Sequence, residues 1–276
     1  MRFSIAVASC CLSFAACAGD STGVADDDLA DGKSDLCSAD DTEEAKCVAE
    51  TEPGIYETSR AVLRLTIGAG TCTGWLVGDQ GHVLTNRHCV RFQSTANTIV
   101  FESMAEGETC DQDCSEKLAC PGTILGTGAT LVKNSYDFDY TLLKLPAPAP
   151  AELGYLRLRR TGAKTGERIY VPQHPLGGGK RIAVWADGEL ATVLGTTEDV
   201  PQQTPCGGTG PRIRYRADTQ PGSSGSPVIA YDDHAVVALH HCNGCARDGG
   251  NRGVPIQDVI ADLGDVLPPS AFADGK

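Results

Sequence analysis

Residues Cys72–Val90 read CTGWLVGDQGHVLTNRHCV. Two short runs rich in apolar side chains, TGWLVG and HVLT, flank a polar Asp-Gln-Gly turn, the pattern of antiparallel strands joined by a hairpin. Cys72 opens the first run and Cys89 follows the second, so a disulfide between them is expected to close the hairpin. His88, immediately before Cys89, then sits on a rigid support. Taken alone it reads as an ordinary histidine at a strand end.

The same kind of run recurs on both sides of this hairpin. AVLRLTI precedes it; TIVF, TILGTGATLV and YTLLKL follow it. The Pro-rich stretch PAPAPAELG, residues 146–154, lacks the backbone donors a central strand needs and reads as a linker. Beyond it lies a second series: RIYV, RIAVW, ELATVLG, RIRYR, PVIAY and AVVAL. Near the end, Ile256, Val259, Ile260 and Leu263 share one helical face. Runs of this length between Gly, Pro and Asn clusters, with 32 glycines and few aromatics in 276 residues, indicate an all-β protein. Two β units, residues 55–145 and 155–267, are expected to flank the linker, with a C-terminal helix in the second and a tail over 268–276.

Residues 1–17 combine one Arg, an apolar run and small residues, the pattern of a signal peptide too short to remain as a membrane-spanning anchor. FAAC ends in Cys17, which fits lipidation after bacterial lipoprotein cleavage, and equally an ordinary signal peptide that discards it. Ten of the 13 cysteines follow Cys17, an even number that suits an oxidising, exported compartment, secreted or in the cell envelope. Between Asp20 and Glu52 twelve carboxylates face only Lys33 and Lys46, which accounts for ten of the 13 net negative charges. Residues 18–54 therefore read as an acidic tether or propeptide, disordered except near Cys37 and Cys47. The rest of the chain is nearly neutral, which excludes a nucleic-acid binder. A monomer is expected.

Asp139, in DFDYTLLKL, stands just before an apolar run that reads as a core strand. A carboxylate there is costly to bury unless a donor meets it, and an imidazole N–H is a suitable donor. Asp137 fits an exposed strand-end position better. The third group lies in DTQPGSSGSPVI, Asp218–Ile229, where Ser224 sits in a knot of small residues before a strand. A free serine hydroxyl is a weak nucleophile; it needs a base, and the base an orienting carboxylate. The chain offers these as His88, Asp139 and Ser224, in that order. Gly222 and Gly225 leave the surroundings of Ser224 open, so the Gly222 and Ser224 amides are placed to face an oxyanion. The G-x-S-x-G elbow does not apply, because Ser226 stands where its second glycine belongs.

LTNRHCV, DYTLLKL and PGSSGSP together resemble the histidine, aspartate and serine motifs of the chymotrypsin-like serine peptidases, over roughly residues 55–263. The branch that looks most similar is the bacterial glutamyl endopeptidases, with the lysyl endopeptidases sharing PGSSGSP. The resemblance implies two six-stranded antiparallel β-barrels and a cleft between them, with no cofactor and with proteins or peptides as substrates. His88 and Asp139 would come from the first barrel and Ser224 from the second. Ser223 departs from the pancreatic pattern, in which an Asp at that position pairs with a new N-terminus; activation of that kind is not expected here.

The resemblance also frames specificity. Asp218 lies where trypsin-like relatives place the carboxylate that binds Lys or Arg. Thr219 and His240 match the pair with which the glutamyl branch binds Glu. Cleavage after Glu is expected, with Lys or Arg as the alternative. His240, His241, Cys242 and Cys245 also have a spacing that suits zinc, but in an exported chain disulfides account for the cysteines better, and no metal is expected. The same scaffold would also suit an esterase, or a protein that only captures ligands. His174 is expected in a loop near the cleft, and His82 and His234 in turns.

Overall fold

The computed structural model describes residues 36–197, 208–245 and 249–273. The signal-peptide and lipidation expectations at residues 1–17 lie outside them. Two curled antiparallel sheets hold most of the regular structure, with few helices.

The first sheet contains β2 (Val62–Ile67), β3 (Gly70–Val77), β4 (His82–Asn86), β5 (Val100–Ser103), β6 (Thr123–Thr127), β7 (Thr130–Ser135) and β8 (Tyr140–Lys144). Its order is β6-β5-β2-β3-β4-β8-β7. β6 and β7 are adjacent in sequence yet occupy opposite edges, so the sheet must curl until its edges meet. TILGTGATLV is thus two strands, divided at Gly128, whose φ of +80° only glycine adopts readily. This is why seven strands appear where six were expected.

The second sheet holds eight strands, ordered β1-β10-β9-β15-β16-β17-β14-β13. They are β1 (Glu43–Glu44), β9 (Ile169–Gln173), β10 (Arg181–Ala183), β13 (Thr192–Thr197), β14 (Arg212–Arg216), β15 (Pro227–Ala230), β16 (Val236–Cys242) and β17 (Asn251–Pro255). A bridge between Arg168 and Thr192 draws the β13 edge back to β9. A separate ribbon pairs β11 (Trp185–Ala186) with β12 (Glu189–Leu190). The C-terminal helix, Ile256–Leu263, buries Ile256, Val259 and Leu263 against the core as its apolar periodicity predicts. Residues 146–154 between the two series hold only a short 3₁₀ turn, Ala151–Leu153.

The acidic segment is ordered around Cys37 and Cys47, where order was expected, and the order extends through its described residues. From residue 36 onward it is folded against the sheets, and β1 adds a strand beside β10. Helices α1 (Ala45–Thr51) and α2 (Pro53–Ser59) follow, with Ala45, Val48 and Ile55 buried in the core. Its carboxylates have partners: Glu44 pairs with Arg181 at 2.8 Å and Glu52 with Arg168 at 3.2 Å. Buried Lys180 and half-buried Lys46 both reach Glu106. Two disulfides fix the segment, Cys37–Cys245 and Cys47–Cys110. Counting charge alone misses these apolar and covalent anchors.

Among the described residues no helix is long and apolar enough to cross a membrane.

Candidate active site

Strand β4 ends at Asn86, and the turn that follows presents His88. Cys89 is joined to Cys72 on β3, so the turn is fastened to the sheet beside it. Asp139 precedes β8, the neighbour of β4, and has φ +43°, a left-handed conformation that Asp tolerates better than most residues. Its backbone carbonyl receives the Arg87 N–H and the Asn86 side-chain amide, each at 3.0 Å.

The Asp139 carboxylate is buried and fully engaged. Oδ1 accepts the His88 backbone N–H at 2.8 Å. Oδ2 meets His88 Nδ1 at 2.6 Å and His241 Nδ1 at 2.8 Å. Burial alone would push this carboxyl up, but the two imidazoles together hold it well below the usual carboxylate range. Asp137, the other candidate carboxylate, is exposed and receives the Thr209 hydroxyl at 2.5 Å.

The Ser224 turn meets this group from the second sheet. Three of its carbonyls are gripped by β3 of the first: Gly222 O by the Thr73 hydroxyl (3.0 Å), Ser224 O by Thr73 N–H (2.9 Å) and Gly225 O by the Trp75 indole (3.1 Å). Ser224 O also lies 4.0 Å from Cys89 Sγ, beside His88. The turn fits only with glycine at its corners. A Cβ on Gly225 would stand 2.3 Å from Thr73 O, and one on Gly222 2.8 Å from His174 O.

The carbonyls on the other peptides of the turn fix where its amides point. Pro221 O accepts from Leu176 N–H at 2.5 Å, and Ser223 O from Ser226 N–H at 2.9 Å and from the Ser226 hydroxyl at 2.6 Å. In a trans peptide the N–H points away from its carbonyl, so the Gly222 and Ser224 amides face the opposite way. Neither donates to a protein acceptor among the described residues. Two such amides beside a serine form an arrangement able to bind an oxyanion. Ser223 is neutral and buried, its hydroxyl accepting the Gln220 N–H.

The family model described as trypsin-like peptidase domain matches residues 72–239, more than half of the chain. The chain belongs to the trypsin-like peptidase family. It is 44% identical over 232 residues, 82% of its length, to secreted RxLR effector protein 73 of Plasmopara viticola. It is 21% identical over 212 residues to a glutamyl endopeptidase of Bacillus licheniformis, covering 74% of this chain. The chain spans only 56% and 61% of these two relatives. Among solved structures, the active form of the Rv3671c protease from M. tuberculosis matches with a TM-score of 0.56 at 19% identity, covering 83% of this chain and 92% of that one. That likeness, at this identity, shows the double-barrel fold of the trypsin-like peptidases.

Of the residues singled out for specificity, Asp218 is turned to another use. Its carboxylate is buried, accepting the backbone N–H of Cys37 at 2.8 Å and of Asp41 at 3.0 Å. Burial pushes its carboxyl up, and these two amides pull it back. Thr219 is buried with its Oγ1 accepting the Asn251 amide at 3.0 Å, which leaves the hydroxyl proton available. His240 is buried and its Nδ1 is hydrogen-bonded to the Tyr215 hydroxyl. Burial first, then the neighbouring His241 and His88, lower its pKa to about 3, so the ring is neutral.

The zinc spacing does not form a thiolate site: Cys245 bridges Cys37, and Cys242 is disulfide-bonded. Cys114–Cys120 is a further bridge. His88, Asp139 and His241 offer three ligand atoms within 4.8 Å of one another. Their N···O separations of 2.6 and 2.8 Å are those of hydrogen bonds to a carboxylate, each filled by a proton. His174 is buried, its ring against Gly178 O, in the loop that holds Pro221. His82 opens β4 rather than a turn, and His234 lies in a turn against the Tyr170 hydroxyl. Sequence reasoning missed His241 as a partner of Asp139 and Tyr215 as a partner of His240. The tandem His-His in a strand was the available signal, since neighbours in a strand face opposite ways.

Proposed function

We propose that the chain is an exported serine endopeptidase that cleaves after glutamate. The observation that carries the catalytic reading is the Asp139 carboxylate holding His88 by both its backbone N–H and its Nδ1, beside the Ser224 turn. Asp139 fixes the imidazole as the Nδ1–H tautomer, so Nε2 is the basic nitrogen. Ser224 Oγ attacks the substrate carbonyl as His88 Nε2 takes its proton. The developing oxyanion receives the Gly222 and Ser224 amides, worth about 3–4 kcal/mol for each donor in such sites. His88 then protonates the leaving amine, and water, deprotonated by the same nitrogen, hydrolyses the acyl-enzyme.

The specificity reading rests on what each pocket residue has left to give. Asp218 spends both oxygens on the N-terminal segment, which removes the support for Lys or Arg. A neutral His240 whose Nδ1 accepts the Tyr215 hydroxyl carries its proton on Nε2. The Thr219 hydroxyl and His240 Nε2–H are therefore two donors suited to a substrate carboxylate. Export is supported by the disulfides and by the secreted effector among the relatives.

A fluorophosphonate probe tests the nucleophile, and matched chromogenic peptides with Glu, Lys, Arg or Phe before the cut bond test the pocket. Labelling of the folded chain that Ser224→Ala abolishes, with turnover falling on the order of 10⁶-fold, is the expected result. Substantial turnover by Ser224→Ala refutes the assignment. Hydrolysis of esters with no peptide turnover would make the chain an esterase instead.

A further inference from the structure

His240 and His241 are consecutive on β16, and consecutive strand residues point to opposite faces. The register against β17 is irregular between His240 and Cys242, a bulge of the kind that re-aims a side chain. One ring therefore meets Tyr215 and the other meets Asp139. His241 is fully buried, and its Nδ1 lies 2.8 Å from the same Asp139 oxygen that His88 Nδ1 approaches at 2.6 Å. An ionised carboxylate only accepts, so both rings must carry their protons on Nδ1. His241 Nε2 is then the bare nitrogen, and among the described residues it has no hydrogen-bond partner.

We propose that His241 is a positioning residue: its Nδ1–H holds the Asp139 carboxylate alongside His88 and, by sharing that negative charge, sets the basicity of His88. This rests on the catalytic reading above. His241 suits the role because burial lowers its pKa against the pull of Asp139, which favours a neutral ring that donates without adding positive charge beside His88. Removing the donor leaves the whole carboxylate charge to His88, which favours the imidazolium and moves the acid limb of kcat/KM upward in pH. It also frees the carboxylate to turn, which lowers kcat. The other charged and titratable groups facing the cluster are Arg212 on β14 and His240, with Asp137 and Asp258 acting on Arg212.

Two variants separate donor from bulk. Asparagine places its amide nitrogen as far from Cβ as histidine places Nδ1, so His241→Asn keeps the donor; His241→Leu removes it while filling the space. His241→Leu is expected to lower kcat/KM at least about tenfold and to raise the acid-limb pKa by about one unit, a loss of the size of one hydrogen bond to a charged group. His241→Asn should recover both. Independently of turnover, and of whether His241→Leu folds, proton NMR of ¹⁵N-histidine protein in the Ser224→Ala background should show two strongly deshielded Nδ1–H signals. His241→Asn should retain one. Assignment of His241 as the Nε2–H tautomer, or wild-type kinetics and pH profile in folded His241→Leu, overturns the proposal. Wild-type protein that fails to react with fluorophosphonate overturns the catalytic reading and this role with it. Labelled wild type with unaltered His241→Leu kinetics overturns the role alone.

Discussion

Asp218→Ala removes both acceptors that fix the start of the folded segment. Each is a hydrogen bond to a charged group, worth about 1.5–3 kcal/mol. The donors, at Cys37 and Asp41, are half-buried, so water replaces part of what is lost and the lower figure applies. The sum is about 3 kcal/mol, or a fall in Tm of about 6–12 °C for a domain of this size. Asp218→Asn keeps one acceptor and removes a buried charge, so it should cost less than half as much. Scanning calorimetry measures both, and the chromogenic peptides run on the same preparations measure selectivity. The preference among Glu, Lys, Arg and Phe should be unchanged in each variant. An unaltered Tm in Asp218→Ala, together with loss of a wild-type preference for Lys or Arg, would falsify the assignment of this carboxylate to the N-terminal segment.

The remaining predictions concern the Asp139 carboxylate, acid sensitivity and the serine turn. Asp139→Asn should cut kcat about 10⁴-fold through the wrong imidazole tautomer. Asp137→Asn, at an exposed carboxylate, should stay within about twofold in the same peptide assay. Buried His174, His240 and His241 are all held below the ordinary histidine range by burial. The unfolded chain therefore takes up protons below about pH 6.5 that the folded chain does not, and stability present above that pH is lost as pH falls. His240, with its pKa of about 3, contributes a loss of about 1.4 kcal/mol at pH 5.5, and His174 and His241 act in the same direction, which urea titrations at pH 7.5 and 5.5 measure; equal midpoints would contradict it. Gly225→Ala forces a Cβ to 2.3 Å from Thr73 O at φ +89°, and should cost about 3 kcal/mol or more. Gly188→Ala, at φ +75° with nothing within 4 Å, should cost about 1 kcal/mol in the same melts.

The parts of this molecule that follow local rules were legible in the sequence. The Cys72–Val90 hairpin, the apolar run after Asp139 and the helix with Val259 and Leu263 inward each announce themselves through a short periodicity. So did the contact between His88 and Asp139, because a carboxylate entering a core strand needs a donor. What escaped depends on pairing between distant segments. That Asp218 receives Cys37 and Asp41 is fixed by a docking across about 180 residues that no spacing encodes. The charge count pointed to a tether because Ala45, Val48 and Ile55 are too few to outweigh twelve carboxylates in a composition, yet each finds a place in the core. His241 was read with its neighbouring cysteines because its true partner is 102 residues away, and a strand bulge aims it there.

Cys37–Cys245 also governs what a cut in the chain can release. Cys37 is held to Cys245, just after β16 of the second sheet, and Cys47 to Cys110, between β5 and β6 of the first. Nicking between residues 38 and 46 therefore yields two polypeptides that travel as one particle, separable on a gel only after a reductant is added. Anything attached upstream of Leu36, whether an acyl chain or a bound protein, stays coupled to the folded body through such a nick. Liberation requires a cut on the amino-terminal side of Cys37, or a reducing environment. The first folded cysteine thus marks the point past which trimming shortens the chain without setting it free.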